Sequence, residues 1–331
     1  MAEDWDLEAL RAETHGALRE RLAETDAAIH TLIREDRVGD ELIVHLVNWL
    51  RLRAALAGAR GFTLGISGGI DSATTAALVE RATPGENRYF FLPCQSVEQD
   101  KAFAQQVAAA LGLTLETVDV LPLYEEACAA LGTEPEADLT PLHLMNLKAM
   151  LRMTLLSTVA NEHGLLVAGT GNRSEGEHAG FMTKRGDGAA DLAVLGWLFK
   201  RQVRALARAL GVPEAVVERP PTPGLRVLPD GTPLTDEDEM GMTYAEIERT
   251  TRLFVEFGAD LEALTRAVQA RYPIGADRVL EVCKTLGLRS WRNRHKLDPM
   301  PIAGYPQEIQ SKYDEYPQGF PSVDALEAWT W

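Results

Sequence analysis

Apolar residues recur at helical spacing in two stretches before residue 60: Leu7, Leu10, Leu18, Leu22 and Ile29 within 5–31, and Leu42, Ile43, Leu46, Val47 and Leu50 within 40–58. Intervals of three and four residues lay one apolar stripe along a helix, so two helices are expected there. From residue 61 the pattern changes. Short apolar runs at 61–66, 88–93, 115–118 and 164–169 read as strands, and helical patterns at 72–82, 99–111 and 141–162 separate them. Strand and helix in alternation predict an α/β chain with a doubly wound parallel sheet and helices on both faces. Helical patterns follow at about 200–210, 243–257, 260–271 and 276–286, and from Trp291 onward the chain has no obvious periodicity. The expected division is extra helices over 1–60, which pack or dimerise, a main domain over 61–300 and a tail over 301–331.

Composition narrows the function classes. With 331 residues and 46% hydrophobic content, the chain can bury a sizeable core. A net charge of −16 opposes any grip on long nucleic acid. A small phosphorylated ligand needs only a local gathering of basic residues. No stretch approaches the roughly 18–20 apolar residues that span a bilayer, and the segment Met1 to Glu8 is acidic, so no membrane partner and a cytoplasmic location are expected. Cys94, Cys128 and Cys283 are odd in number and widely spaced, which fits buried small apolar residues rather than a disulfide framework or zinc site. The acidic run Glu134–Asp138 reads as solvated surface.

The chemistry gathers at glycines. Ser67-Gly68-Gly69-Ile70-Asp71-Ser72 lies between an expected strand and an expected helix. Glycine lets the backbone approach a ligand closely, and a helix N-terminus flanked by hydroxyls attracts an anion, phosphate above all. The Lys-Ser/Thr ending of the Walker loop is absent, as is the spacing of the dinucleotide fingerprint. A carboxylate at Asp71 would repel polyphosphate unless a divalent cation lay between them. The alternative is an ordinary turn with Asp71 and Ser72 as helix caps. A second glycine-rich stretch, Gly169-Thr170-Gly171-Asn172-Arg173-Ser174-Glu175 through Thr183-Lys184-Arg185-Gly186-Asp187-Gly188-Ala189-Ala190-Asp191, reads as a binding loop or else a surface excursion. In it Glu175, Asp187 and Asp191 could hold a metal or a positive group, and Lys184 and Lys200 could neutralise phosphate. Arg219-Pro220-Pro221-Thr222-Pro223-Gly224 is a poor helix and a good ordered loop.

These two glycine stretches, together with Lys200-Arg201-Gln202-Val203, Arg219-Pro220-Pro221-Thr222 and Thr235-Asp236-Glu237-Asp238-Glu239-Met240-Gly241, closely resemble the NAD synthetase family over about residues 40–300. The first motif alone resembles the wider ATP pyrophosphatase (PP-loop) group, which includes GMP synthetase, argininosuccinate synthetase and tRNA-modifying enzymes. The resemblance implies a Rossmann-like α/β fold and an amide ligase of the ammonia-dependent type, joining ammonia to the carboxylate of deamido-NAD through an adenylated intermediate, with ATP cleaved to AMP and pyrophosphate. It implies that Ser67, Gly68, Gly69 and Ser72 cradle pyrophosphate, that Asp71 and Glu175 ligate Mg²⁺, and that Lys200 and Thr222 hold phosphates. Arg152 and Thr170 would lie near the adenosine of ATP. Lys184, Asp187, Asp191, His295 and Lys296 would face deamido-NAD. Asp71, Lys200, Asp187 and Glu175 form the implied catalytic set. Members are typically homodimers.

Some positions depart from the family pattern. Arg185 stands where an aromatic is usual, Phe199 where threonine is usual, and Met150 where arginine is usual; one extra residue between Glu175 and Asp187 makes Glu177 a rival for the metal. These departures concern the acid more than the reaction, so nicotinate mononucleotide stands as an alternative acid. A tRNA-modifying or silent PP-loop protein is the alternative from other classes. Only some sixty residues precede the glycine turn, so the expected nitrogen source is free ammonia or ammonia from a separate partner protein.

Overall fold

The computed structural model describes residues 5–134, 141–176, 179–222, 234–297 and 323–330. Contacts group the chain into two units, one made of 1–172 with 183–239 and the other of 173–182 with 240–331. The helices before residue 61 thus belong to the first unit.

That unit begins with α1 (Leu7–Arg11), α2 (His15–Arg34) and α3 (Asp40–Ala57). The single helical pattern expected over 5–31 is broken because the Thr14 hydroxyl accepts the Ala17 N–H and starts a new helix. The chain then alternates through β1 (Gly61–Gly65), α4 (Ile70–Ala82), β2 (Arg88–Phe91), α5 (Glu98–Leu111), β3 (Leu115–Thr117), α6 (Leu121–Leu131), α7 (Leu142–His163) and β4 (Leu165–Gly169). A 3₁₀ turn (Asp187–Ala189), β5 (Leu192–Ala193), α8 (Lys200–Leu210), α9 (Glu214–Val217) and α10 (Asp236–Met240) follow. The sheet is wholly parallel in the order β3-β2-β1-β4-β5. The expected strands are present, and β5 is an addition, since two residues carry no readable period.

β1 is the central strand, and its residues Phe62, Thr63 and Leu64 are fully buried because helices cover both faces. One cluster joins Leu42, Leu46 and Leu50 of α3 with Phe62 and Leu64 of β1, Leu78 of α4 and Val203 and Leu206 of α8. A second holds Phe90 of β2, Tyr124 and Cys128 of α6, and Leu144, Met153 and Leu156 of α7. Between β1 and its neighbours β2 and β4 the chain crosses over in opposite directions, so the crevice at the carboxyl end of β1 is the topological switch point, where ligands bind in such sheets.

The second unit contains α11 (Tyr244–Phe257), α12 (Leu261–Arg271), α13 (Ala276–Leu297) and α14 (Val323–Ala328). A reciprocal cap opens α11: the Thr243 hydroxyl accepts the Glu246 N–H at 3.1 Å, and the Glu246 carboxylate accepts the Thr243 N–H at 2.8 Å. Phe254, Leu264, Val268, Leu280, Cys283, Leu326 and Trp329 form its main core. The pattern beyond Trp291 is therefore less irregular than expected: α13 runs through Leu297, and α14 places Leu326 in the core. The rest of the expected tail and residues 135–138 of the acidic run lie outside the described residues.

All three cysteines are buried, as their composition implied, and burial pushes the Cys283 thiol up to about 11. Among the described residues no helix is long and apolar enough to cross a membrane. Leu64→Ala, at a fully buried site in β1, is expected to lower the unfolding free energy by about 2–5 kcal/mol. Denaturant melts read by far-UV circular dichroism measure it.

Candidate active site

At the carboxyl end of β1 the chain turns through Ser67, Gly68 and Gly69 into α4. The turn is knitted to itself: Ser67 N–H donates to Ser72 Oγ at 3.2 Å, the two serine hydroxyls are 3.1 Å apart, and Gly69 N–H donates to Ser67 Oγ at 3.2 Å. The Ser72 hydroxyl donates in turn to the Gly69 carbonyl at 3.0 Å. Gly68 has φ +83°, and a Cβ there would fall 2.6 Å from the Asp100 carbonyl oxygen, so no side chain fits. Gly69 is the N-cap of α4 and supplies no side-chain cap. Asp71 and Ser72 are therefore not the N-cap that an ordinary turn would use, and the first amides of α4 are presented at the positive end of the helix dipole.

Asp71 lies in the first turn of α4. One carboxylate oxygen accepts from Lys200 Nζ, and the other accepts from the Asn172 amide at 3.1 Å. Lys200 is the first residue of α8 and is only 2% exposed. Asn172, in the loop after β4, is 1% exposed. An ammonium at a helix N-terminus opposes the macrodipole and is costly to bury, so helix stability does not explain Lys200. Its position makes sense where negative charge has to be met.

The edge of the site toward β2 carries two more cations. Arg152 Nε donates to the Leu92 carbonyl at 2.8 Å, and Lys148, one turn earlier on α7, is 1% exposed with its Nζ 5.2 Å from the Tyr124 ring centroid. Burial pulls both pKa values below their usual range and pushes the Cys94 thiol up. Lys148 was not expected from the sequence; its signal is the four-residue spacing from Arg152 on one helix face. Asn172 lies within the second glycine-rich stretch with nothing local to mark it, and only the fold brings it to Asp71.

Thr170 directly follows β4. The Asp187 carboxylate accepts the Thr183 N–H at 2.9 Å, and the Thr183 hydroxyl donates to Asn146 at 2.6 Å, so the stretch 183–189 is a folded loop rather than a free excursion. The Asp191 carboxylate accepts the Val167 N–H of β4 at 2.7 Å. Lys184 is half-buried and Arg185 exposed, while Phe199 is 4% exposed and precedes Lys200 as the α8 N-cap. Thr222 ends the described part of the proline-rich loop, whose Pro221 carbonyl accepts the Asp236 N–H at 3.0 Å. Glu175, Lys296 and His295 belong to the second unit. There Glu175 accepts from the Tyr244 hydroxyl at 2.8 Å, and Lys296 donates to the Gly180 carbonyl at 2.8 Å. The His295 side chain and Glu177 lie outside the described residues.

A serine-glycine turn feeding an uncapped helix at the switch point, with a buried lysine and a carboxylate beside it, defines an α/β nucleotide-binding protein of the ATP pyrophosphatase type. The comparison with known proteins is more specific. The NAD synthase family model matches residues 42–295, and the chain belongs to that family. It is 40% identical over 209 residues to the NH(3)-dependent NAD(+) synthetase of Carboxydothermus hydrogenoformans, covering 63% of this chain and 84% of that one. With the enzyme of the same name from Hyperthermus butylicus it shares 39% identity over 249 residues, 74% of this chain and 84% of that one. Among solved structures it is similar to the NMN synthetase from Francisella tularensis, with a TM-score of 0.64, 30% identity, and 80% and 97% of the two chains covered.

The packing at Gly68 generates a test. Gly68→Ala forces a left-handed backbone on alanine, worth roughly 1–2 kcal/mol, and adds a contact with α5 that cannot be relieved without moving the turn. Thermal unfolding is expected to shift down by several degrees, and binding of ATP to fall even in the protein that remains folded, as read by calorimetric titration.

Proposed function

We propose that this chain is an ammonia-dependent ligase that converts deamido-NAD to NAD, cleaving ATP to AMP and pyrophosphate. The observation that carries the reading is the meeting of Asp71, Asn172 and Lys200 at the uncapped start of α4, in a member of the NAD synthase family.

A carboxylate is a poor electrophile, because its charge and resonance must be lost when a nucleophile adds. The remedy is to let a carboxylate oxygen attack the α-phosphorus of ATP, expelling pyrophosphate and forming an acyl adenylate. Ammonia then adds to the acyl carbon, and AMP leaves with the former carboxylate oxygen. Two anions meet in the first step, so the protein must present positive charge where the phosphates lie. In our reading Ser67, Gly68, Gly69 and Ser72 hold the pyrophosphate with amides and hydroxyls, while Lys200 and Thr222 hold the phosphates. Arg152 and Thr170 lie by the adenosine, and Lys184, Asp187, Asp191, His295 and Lys296 receive the nicotinate nucleotide.

Asp71 and Glu175 are assigned to Mg²⁺. Mg²⁺ commonly takes only one or two carboxylates and completes its octahedron with phosphate oxygens and water, so two acidic side chains are a sufficient protein contribution. The Asp71 carboxylate already faces one cation, Lys200, and so fits the role. When bound, the ion would screen the approach of the two anions. With metal and nucleotide bound, Asp71 would help hold the ion and Lys200, beside it, would face the phosphates. We further propose that the enzyme works in the cytoplasm as a homodimer, on free ammonia or ammonia handed over by a separate protein.

Incubation with ATP, Mg²⁺, ammonium and deamido-NAD is expected to yield AMP and NAD in equal amounts, followed by chromatography. Release of ADP contradicts the mechanism. Nicotinate mononucleotide is run in parallel, since a 30% identical structure carries the name NMN synthetase, and deamido-NAD is expected to be the better acid. Asp71→Asn is expected to cut turnover by about 10²–10³-fold with the far-UV spectrum unchanged, as loss of a preorganised electrostatic group does.

A further inference from the structure

The Gly68–Gly69 peptide is the joint of the turn on which the proposed pyrophosphate site rests. A peptide between two glycines has the lowest steric barrier to rotating its plane. In one orientation its carbonyl faces away from the anion site; rotated, the carbonyl dipole would oppose a phosphate. Both ends of this peptide are held. Its N–H donates to Ser67 Oγ at 3.2 Å, and its carbonyl accepts from Arg219 Nη1 at 3.4 Å.

Arg219 is itself held by two further contacts. Its Nη2 lies 2.5 Å from an Asp100 carboxylate oxygen, the two side chains being 11% and 9% exposed, and its guanidinium carbon lies 4.7 Å from the Phe103 ring centroid. Asp100 is in the first turn of α5, where the helix dipole favours a carboxylate. The same turn of α5 leaves no room for a Cβ at Gly68. Arg219 also opens the segment Arg219-Pro220-Pro221-Thr222, in which two prolines restrict the backbone between the guanidinium and Thr222. One side chain therefore sets the glycine turn, the start of α5 and the approach to Thr222 in a common frame. A lysine, with a single nitrogen, could serve one of these acceptors but not hold the carboxylate and the carbonyl on separate donors as the fork does.

We propose that Arg219, held by Asp100, is a positioning residue: it locks the Gly68–Gly69 peptide with its carbonyl turned from the nucleotide and ties Thr222 to the same frame. The proposal rests on the ATP-binding role argued above. Three variants test it: Arg219→Met, Arg219→Lys, and the double variant Asp100→Asn with Arg219→Met, which removes both buried charges and so guards against unfolding caused by an orphaned carboxylate. Folding is verified by circular dichroism and thermal melting, binding of ATP with Mg²⁺ is measured by calorimetry, and kcat and KM are measured for ATP and for the acid separately.

Arg219→Met is expected to weaken ATP binding and raise its KM tenfold or more, with the KM of the acid within twofold of wild type. Arg219→Lys should recover part of that loss. The double variant should regain thermal stability and keep the ATP defect, because the Gly68 carbonyl still lacks its donor. Wild-type ATP binding in the folded double variant overturns the proposal and makes the pair purely structural, and an equal loss toward ATP and the acid overturns it as well. If the wild-type chain itself fails to bind ATP, the functional reading falls and this one with it.

Discussion

An ammonium and a carboxylate face each other at the carboxyl edge of the sheet, beside the positive ends of two helices. Lys200 opens α8 and Asp71 lies in the first turn of α4, so the dipoles of both helices add to the lysine charge and Asp71 is set against them. The Asn172 amide also donates to Asp71, so the carboxylate is held from two sides, while the two helix ends and the ammonium together leave the edge biased toward taking on more negative charge. A chain with net charge −16 has gathered Lys200 and Arg152 at the carboxyl edge of its sheet.

Much of the first unit serves that edge. The parallel order puts β1 in the centre, and its buried residues clamp the turn that follows between α3, α4 and α8. The loop after β4 delivers Asn172 to Asp71, and the close fit at Gly169, where a Cβ would meet Ala190 at 2.9 Å, lets β5 pack alongside. From the β2 side α7 brings Lys148 and Arg152. Hydrophobic burial fixes where the strands end, and the strand ends fix where the charges meet.

How much of this could be read without coordinates differs by element. The glycine turn and the four main strands were legible because local rules write them: apolar runs for buried parallel strands, glycine and serine for the turn. The four-residue spacing of Lys148 and Arg152 is legible in the sequence as one face of a helix. Asn172 could not be found locally, since its partner is 101 residues away and only the β1–β4 pairing joins them. Arg219 is similar, lying 119 residues from Asp100. β5 was too short to show a period. Leu326 and Trp329 looked like part of an aperiodic tail, although burial against α13 gives them a place in a core. For Lys200 the residue type alone suggests a phosphate partner, whereas the role proposed for Thr222 comes from family resemblance, since the physics of an isolated segment does not reveal it.

The central claim is that the acid is activated by attack on the α-phosphorus of ATP at this edge. Isotope transfer tests it most directly. With deamido-NAD carrying ¹⁸O in its carboxylate, the AMP released by the complete reaction should contain one ¹⁸O atom per molecule by mass spectrometry, because the bond formed to phosphorus keeps the carboxylate oxygen when ammonia displaces AMP. AMP free of label alongside labelled water or labelled phosphate would contradict the account.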